Sequence, residues 1–266
     1  MNNEKYVIEI RNSLFGYANQ FELKVNQLLI PKQKTIFILG SSGIGKSTLI
    51  ETLGLLKNTI LNSNESEVFF NLNNNESINY NLIDQEDSYK IRSNSFSFLF
   101  QDDQLLNNYT VEENIKLSCI ALDENVNKDI PKLFHDLNLD QNLLQKKITQ
   151  LSGGQKKRIA LVRSLYKPFE IIFCDEPTGN LDEFNSNSLF TLLKETVDRL
   201  KTTAVLVSHN INLALKFGDM IIPITRNKQF GEIKESSLLY NQDGWKFENE
   251  IECENPKSYL QSVLHN

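Results

Sequence analysis

The chain has 266 residues, 40% hydrophobic and 23% charged, enough for a packed α/β domain with an inserted subdomain. Its 28 Lys+Arg against 34 Asp+Glu give a formal net charge of −6, which argues against a protein that holds nucleic acid by neutralising phosphates. No run approaches the roughly 18 apolar residues of a membrane helix, and Met1–Lys5 opens without the apolar core of a signal peptide.

In chain order, Val7–Arg11 and Phe21–Val25 read as β-segments. Thr35–Leu39 is a short apolar run of β-formers ending in a glycine-rich turn, as a buried strand would be. Lys46–Leu56 reads as the helix after the turn. Residues 58–87 are rich in Asn, Ser and Glu and read as loop around one strand, Val68–Leu72. Ser95–Phe100 is β-like, and helical patterns follow over Val111–Leu122, Lys128–Leu137 and Gln155–Tyr166. Ile171–Asp175 is an apolar strand ending in acid. Next come a helix at Ser186–Leu200, a strand at Ala204–Ser208, a helix at Ile211–Phe217 and a strand at Met220–Thr225. Strands alternating with helices predict a mostly parallel sheet covered on both faces. The helical block between Gln101 and Lys167 interrupts that alternation and is expected to form a separate lobe. Cys119, Cys174 and Cys253 show neither metal spacing nor a disulfide framework, which suits a reducing cytosolic compartment. Cys174 reads as a small buried hydrophobe. His135 and His265 lack motif context and read as structural or exposed.

Gly40-Ser41-Ser42-Gly43-Ile44-Gly45-Lys46-Ser47 satisfies G-x-x-x-x-G-K-[ST] between a predicted strand and a predicted helix. Glycines let backbone N–H groups close around phosphate oxygens, and the helix N-terminus adds partial positive charge. The motif predicts that Gly40 to Thr48 cradle a nucleotide triphosphate. Lys46 would neutralise the β- and γ-phosphates and the Ser47 hydroxyl would ligate Mg²⁺. Asp175-Glu176 follows a buried strand, where ligands bind in open α/β sheets. Asp175 would hold Mg²⁺, and Glu176 would polarise the water that attacks the γ-phosphate.

Leu151-Ser152-Gly153-Gly154-Gln155 precedes a helix carrying Lys156, Lys157, Arg158 and Arg163. Ser152 can cap that helix while Gly153 and Gly154 leave its amides open, a second anion site in one chain. The Lys156–Arg158 run reads as a solvated helix face.

On these motifs the sequence resembles the ATP-binding cassette (ABC) ATPase family, from about Ile8 to Thr225. Leu151–Gln155 looks like its signature, so Ser152, Gly153, Gly154 and Gln155 are implied to touch nucleotide. The resemblance implies further roles. Gln101 matches the glutamine that contacts Mg²⁺ and links the helical lobe to the core. Asn180-Leu181-Asp182 matches the D-loop, with Asp182 near the nucleotide. His209 matches the histidine that contacts the γ-phosphate. Tyr17 lies where the family carries an aromatic that stacks on adenine, with Phe15 as competitor. Ile44 stands where Ser or Cys is usual, and Asn210 where Asp is frequent; neither removes a reacting group.

The resemblance therefore implies an α/β fold of the P-loop NTPase type. An ABC ATPase core with a mostly parallel sheet would carry an N-terminal antiparallel β subdomain and an inserted helical subdomain at about 102–167. Residues 1–225 are expected to form the ATPase domain and 226–266 its C-terminal extension. The expected activity is ATP hydrolysis, with Lys46, Glu176 and His209 catalytic and ATP and Mg²⁺ bound. ATP would lie between the phosphate loop of one cassette and the signature of a second, in a homodimer. The expected partner is a multi-span membrane permease, with the chain peripheral on the cytoplasmic face of the membrane and no nucleic acid bound. Asp175 to Asp182 and Gln101 to Asn114 are similar to the branch with lipoprotein-releasing, macrolide-export and cell-division cassettes. The alternative is a soluble ABC ATPase acting on DNA or ribosomes.

Overall fold

The computed structural model describes residues 5–17, 22–72, 77–119, 130–179, 182–227, 230–235, 238–241 and 243–265. Strands β1 (Tyr6–Gly16) and β2 (Glu22–Pro31) pair antiparallel, from Tyr6 opposite Pro31 to Gly16 opposite Glu22. The chain then enters the interior as β3 (Thr35–Leu39), buried at every residue. Helix α1 (Lys46–Leu53), strands β4 (Glu67–Asn71) and β5 (Ser77–Asn79), helix α2 (Gln85–Ser95) and strand β6 (Phe96–Leu99) follow. A helical stretch carries α3 (Val111–Leu117), α4 (Ile130–Asp136) and α5 (Gly153–Tyr166). Alternation resumes with β7 (Ile171–Asp175), α6 (Glu183–Leu200), β8 (Thr203–Ser208), α7 (Ile211–Phe217) and β9 (Met220–Asn227). The chain closes with β10 (Phe230–Ile233), β11 (Leu239–Asn241), β12 (Trp245–Phe247) and α8 (Pro256–His265).

The central sheet is parallel, in the order β9-β3-β8-β7-β6. Side chains alternate across it, as the period of a strand requires. Ile36 and Ile38 join a core shared with β1, β2 and α1, while Phe37 and Leu39 join one built with α5, α6 and α7. Two covered faces explain why β3 and β8 carry no exposed residue. The second layer is β5-β4-β1-β2-β10, antiparallel except for the parallel β2–β10 pair, and β9 belongs to both sheets. Met220–Ile222 and Pro223 pair parallel with β3, whereas Ile224 to Asn227 pair antiparallel with β10. On that second edge β11 takes Met220 and Ile221, leaving Pro223, which has no N–H to donate, at the changeover between β11 and β10.

Several elements depart from expectation. Helix α2 fills residues 88–94, for which no element was expected, and takes in the last residues of the expected loop and the first of the expected strand. It is capped by Asp84, whose carboxylate accepts from the Asp87 amide at 2.8 Å, and it buries only Ser95. Helix α1 stops at Leu53 rather than Leu56 because Gly54 caps it and Leu55 turns left-handed at φ 56°. Helix α6 starts three residues early at Glu183, because Asp182 caps it. β1 and β2 run longer than the sequence pattern suggested. Phe21, the 120–122 end of one predicted helix and the 128–129 start of the next lie outside the described residues. All three cysteines are free. Burial pushes the Cys174 thiol well up, so it stays neutral inside β7.

Candidate functional site

The register aligns Leu39 with Ser208 and Asp175 with Val207, so β3, β8 and β7 end together at one sheet edge. At that edge a cavity of about 340 Å³ is lined by Tyr17, Ser42, Gly43, Gly45, Lys46, Ser47, Thr48, Gln101, Asp175 and Glu176. Residues from separate segments thus converge outside the carboxyl ends of parallel strands, where open α/β sheets bind ligands.

The loop between β3 and α1 turns on Gly43 at φ 76° and Gly45 at φ 93°, a region that L side chains rarely adopt. Lys46 is only 6% exposed, and its Nζ donates to the Gly40 carbonyl at 2.8 Å and the Ser41 carbonyl at 2.9 Å. Burial lowers its pKa, and the carboxylates of Glu176 and Asp175 partly oppose that shift. Ile44 is buried beneath the loop, in the core shared with β1, β2 and α1. The Ile44 carbonyl oxygen lies against β10: a Cβ added to Gly231 would sit 2.8 Å from it. In a trans peptide C=O and N–H point in opposite directions. The Gly45 N–H of the same peptide therefore points away from β10.

Across the cavity, the Asp175 carboxyl is pushed up by burial and drawn back down by a hydrogen bond from the Ser47 hydroxyl. Glu176 is held at φ 43°, an uncommon conformation for a non-glycine residue. Its backbone N–H donates to the Val207 carbonyl at 3.1 Å, fixing it to the end of β8. As a carboxylate it accepts at Oε2 from His209 Nδ1–H at 2.8 Å. The imidazole is 73% exposed, so this pair orients groups more than it stabilises the fold. Gln101 packs against Gly179, where an added Cβ would meet Gln101 Cγ at 3.3 Å.

Of the two candidate aromatics, Tyr17 lines the cavity at 39% exposure while Phe15 is fully buried in the core. Ser152 to Gln155 and Asp182 do not line this cavity. Ser152 instead caps α5 in a reciprocal box: Ser152 Oγ accepts from the Gln155 N–H at 3.3 Å, and Gln155 Oε1 from the Ser152 N–H at 2.9 Å. A Cβ added at Gly153 or Gly154 would meet nothing within 4 Å, so this helix end faces open space. The Asn185 amide holds the Asp182 carboxyl below its ordinary range. Asn180 and Leu181 lie outside the described residues. Lys157 corrects the reading of a solvated helix face. It is buried, its Nζ donates to the Gln101 carbonyl, and it pairs with Asp103 at 3.2 Å. Its cue lay in its phase: Lys157 stands three and four residues before the buried Ala160 and Leu161, on the same helix face, which a run of charges obscures.

The family model described as ABC transporter matches residues 23–179. A lipoprotein-releasing system ATP-binding protein, LolD, from Wigglesworthia glossinidia brevipalpis is 34% identical over 206 residues, covering 76% of this chain and 85% of its own. The uncharacterised ABC transporter ATP-binding protein MJ0796 from Methanocaldococcus jannaschii is 33% identical, covering 84% of this chain and 92% of its own. A dimeric structure of a post-hydrolysis state of MJ0796 bound to ADP and Pi superposes with a TM-score of 0.69 at 27% identity, covering 85% of this chain and 96% of that one. The sheet-edge cavity, its buried lysine and its acid pair thus sit in a matching sequence and a matching fold, and the chain belongs to the ABC transporter family as one of its ATPase cassettes.

Proposed function

We propose that the cavity takes the triphosphate of ATP against the Gly40–Thr48 loop and that this cassette powers a separate membrane permease. The observation that carries the reading is the meeting of buried Lys46, the Ser47–Asp175 pair and Glu176 around one cavity. In this reading the loop amides and the Lys46 ammonium hold phosphate oxygens, and the Tyr17 ring stacks on adenine. Glu176 accepts a proton from the attacking water as the water oxygen bonds to the γ-phosphorus and the bond to the β-phosphate oxygen breaks toward ADP. His209, tied to Glu176, orients that carboxylate and lies against the γ-phosphate. The hydroxyl of Ser47, the carboxylate of Asp175 and the amide oxygen of Gln101 are hard oxygen donors suited to Mg²⁺. When bound, Mg²⁺ would neutralise charge on the β- and γ-phosphate oxygens.

The open helix end at Ser152–Gln155 supports a second half of the reading. It serves the nucleotide of a second copy, in a dimer with two composite sites, with Asp182 close to that junction. Closure is then driven by the different affinities of ATP and ADP for the closed state. Two findings support the transporter role: a relative named as the ATP-binding protein of a lipoprotein-releasing system, and a dimeric structural neighbour. Among the described residues no helix is long and apolar enough to cross a membrane. The chain in this reading sits on the cytoplasmic membrane face through its permease.

Glu176→Gln tests both halves. In saturating Mg-ATP the variant should lose at least about a hundredfold in turnover. It should also elute as a dimer with ATP bound, by size-exclusion chromatography with light scattering. Unchanged turnover would remove Glu176 from its role, and a persistent monomer would remove the composite site.

A further inference from the structure

Two cations on α5 hold the backbone that follows β6. Lys157 Nζ donates to the Gln101 carbonyl and pairs with the Asp103 carboxylate at 3.2 Å, the side chains being only 10% and 20% exposed. Six residues on, Arg163 donates from Nη1 to the Gln104 carbonyl at 2.7 Å and from Nη2 to the Asp103 carbonyl at 2.9 Å. Gln104 sits at φ 48°, so the carbonyl that Arg163 grips belongs to a left-handed turn. Every carbonyl from Gln101 to Gln104 except that of Asp102 is thus bound by α5.

The same helix begins at the open Ser152 end. With a rise of 1.5 Å per residue, Lys157 lies about 7 Å from that end and Arg163 about 16 Å. A helix moves as a body, so the Gln101 backbone cannot shift without carrying the Ser152 end with it. The other course is to release a buried ammonium from its partners, which is costly in a low-dielectric interior. The Gln101 side chain, meanwhile, lines the chain's own cavity.

We infer that Lys157, with Arg163, is a positioning residue that couples occupancy of the chain's own cavity to the placement of its own Ser152–Gly154 amides. In the dimer proposed above, on which this inference rests, those amides serve the partner's nucleotide. Filling one site therefore readies the other, and the two sites act cooperatively. Lys157 touches no reacting atom in this account.

The test is the ATP dependence of hydrolysis in wild type, Lys157→Met, Lys157→Arg and Asp103→Asn, with ADP affinity measured by calorimetry as a report on the cavity alone. Wild type should show a Hill coefficient approaching about 2, the number of coupled sites. Lys157→Met should fall toward about 1. Its half-saturating ATP should rise within the roughly 5- to 150-fold range of site-to-site coupling, with ADP affinity unchanged. Lys157→Arg, which keeps the cation, should restore cooperativity, and Asp103→Asn should lose part of it. A folded Lys157→Met protein as cooperative as wild type would overturn the inference. Equal losses of cooperativity and ADP affinity would do so too, because they report damage to the cavity itself. If Lys157→Met does not fold, Asp103→Asn decides by the same criteria. Failure of the dimer reading is distinguishable: Glu176→Gln stays monomeric in Mg-ATP and wild type itself shows a Hill coefficient near about 1.

Discussion

Gly231→Ala tests the support that β10 gives the Gly40–Thr48 loop. Gly231 has ordinary strand backbone, so the cost of a methyl group there is steric. The new Cβ would lie 3.1 Å from Leu23 Cδ1 and 3.2 Å from Ile224 Cγ2, side chains that can yield by a few tenths of an ångström. The third contact, 2.8 Å to the Ile44 carbonyl oxygen, is with backbone and must open to at least 3.4 Å, a displacement of about 0.6 Å. Overpacking of this kind costs about 1–3 kcal/mol, and each kcal/mol lowers Tm by about 2–4 °C in a chain near this size. The displaced peptide carries the Gly45 N–H. A misplacement of 1 Å costs on the order of a hundredfold in rate, so kcat/KM for ATP should fall on the order of tenfold. Differential scanning fluorimetry and steady-state ATPase kinetics read the two effects together. A Gly231→Ala protein with wild-type Tm and wild-type kcat/KM would refute the idea that β10 sets the position of the loop.

Gly153→Ala should separate fold from function in the opposite way. The added methyl meets nothing within 4 Å and removes a glycine from a helix, so stability should rise by up to about 1 kcal/mol. Hydrolysis should fall at least about tenfold where a partner's nucleotide must approach those amides; wild-type turnover would contradict that use of the helix end. Lys167 supplies a pH test. Burial pushes its ammonium down to about 8, and it donates to the Arg92 and Ser93 carbonyls at 3.0 Å each. The unfolded chain, with an ordinary lysine pKa of about 10.4, binds more protons than the folded one between those values. Wild-type stability should therefore gain about 3 kcal/mol relative to Lys167→Met as pH rises from about 8 to about 10.4. Urea denaturation of both proteins across that window checks it, and parallel curves would reject it.

The strand at Thr35–Leu39 and the loop after it were legible because their chemistry is local: a buried run, then glycines where backbone must turn left-handed beside a lysine. The Ser152 cap was legible for the same reason. Helix α2 was not. Its residues are polar on nearly every face, and it is specified by its ends, by the Asp84 cap and by a Glu86–Lys90 pair at 2.7 Å, rather than by periodicity. Tyr17 and Phe15 could not be separated by type. Tyr17 lies just beyond the end of β1, where the chain leaves the sheet, while Phe15 is still inside it. Lys157 looked solvated because runs of charge on a helix usually are. Its carbonyl partner lies 56 residues upstream, and only the packed fold brings the two together. The prop beneath the loop is equally remote, contributed by β10 near the C-terminal end of the chain.

One continuous strand, β9, runs through both sheets, changing partners between Pro223 and Ile224. A hinge there would have to wring a single ribbon whose two halves are clamped by different neighbours. The wall bearing Tyr17 and the wall bearing Lys46 are accordingly keyed to one spine and hold a fixed gauge between them, so any stroke this machine makes must come from parts hung outside that frame.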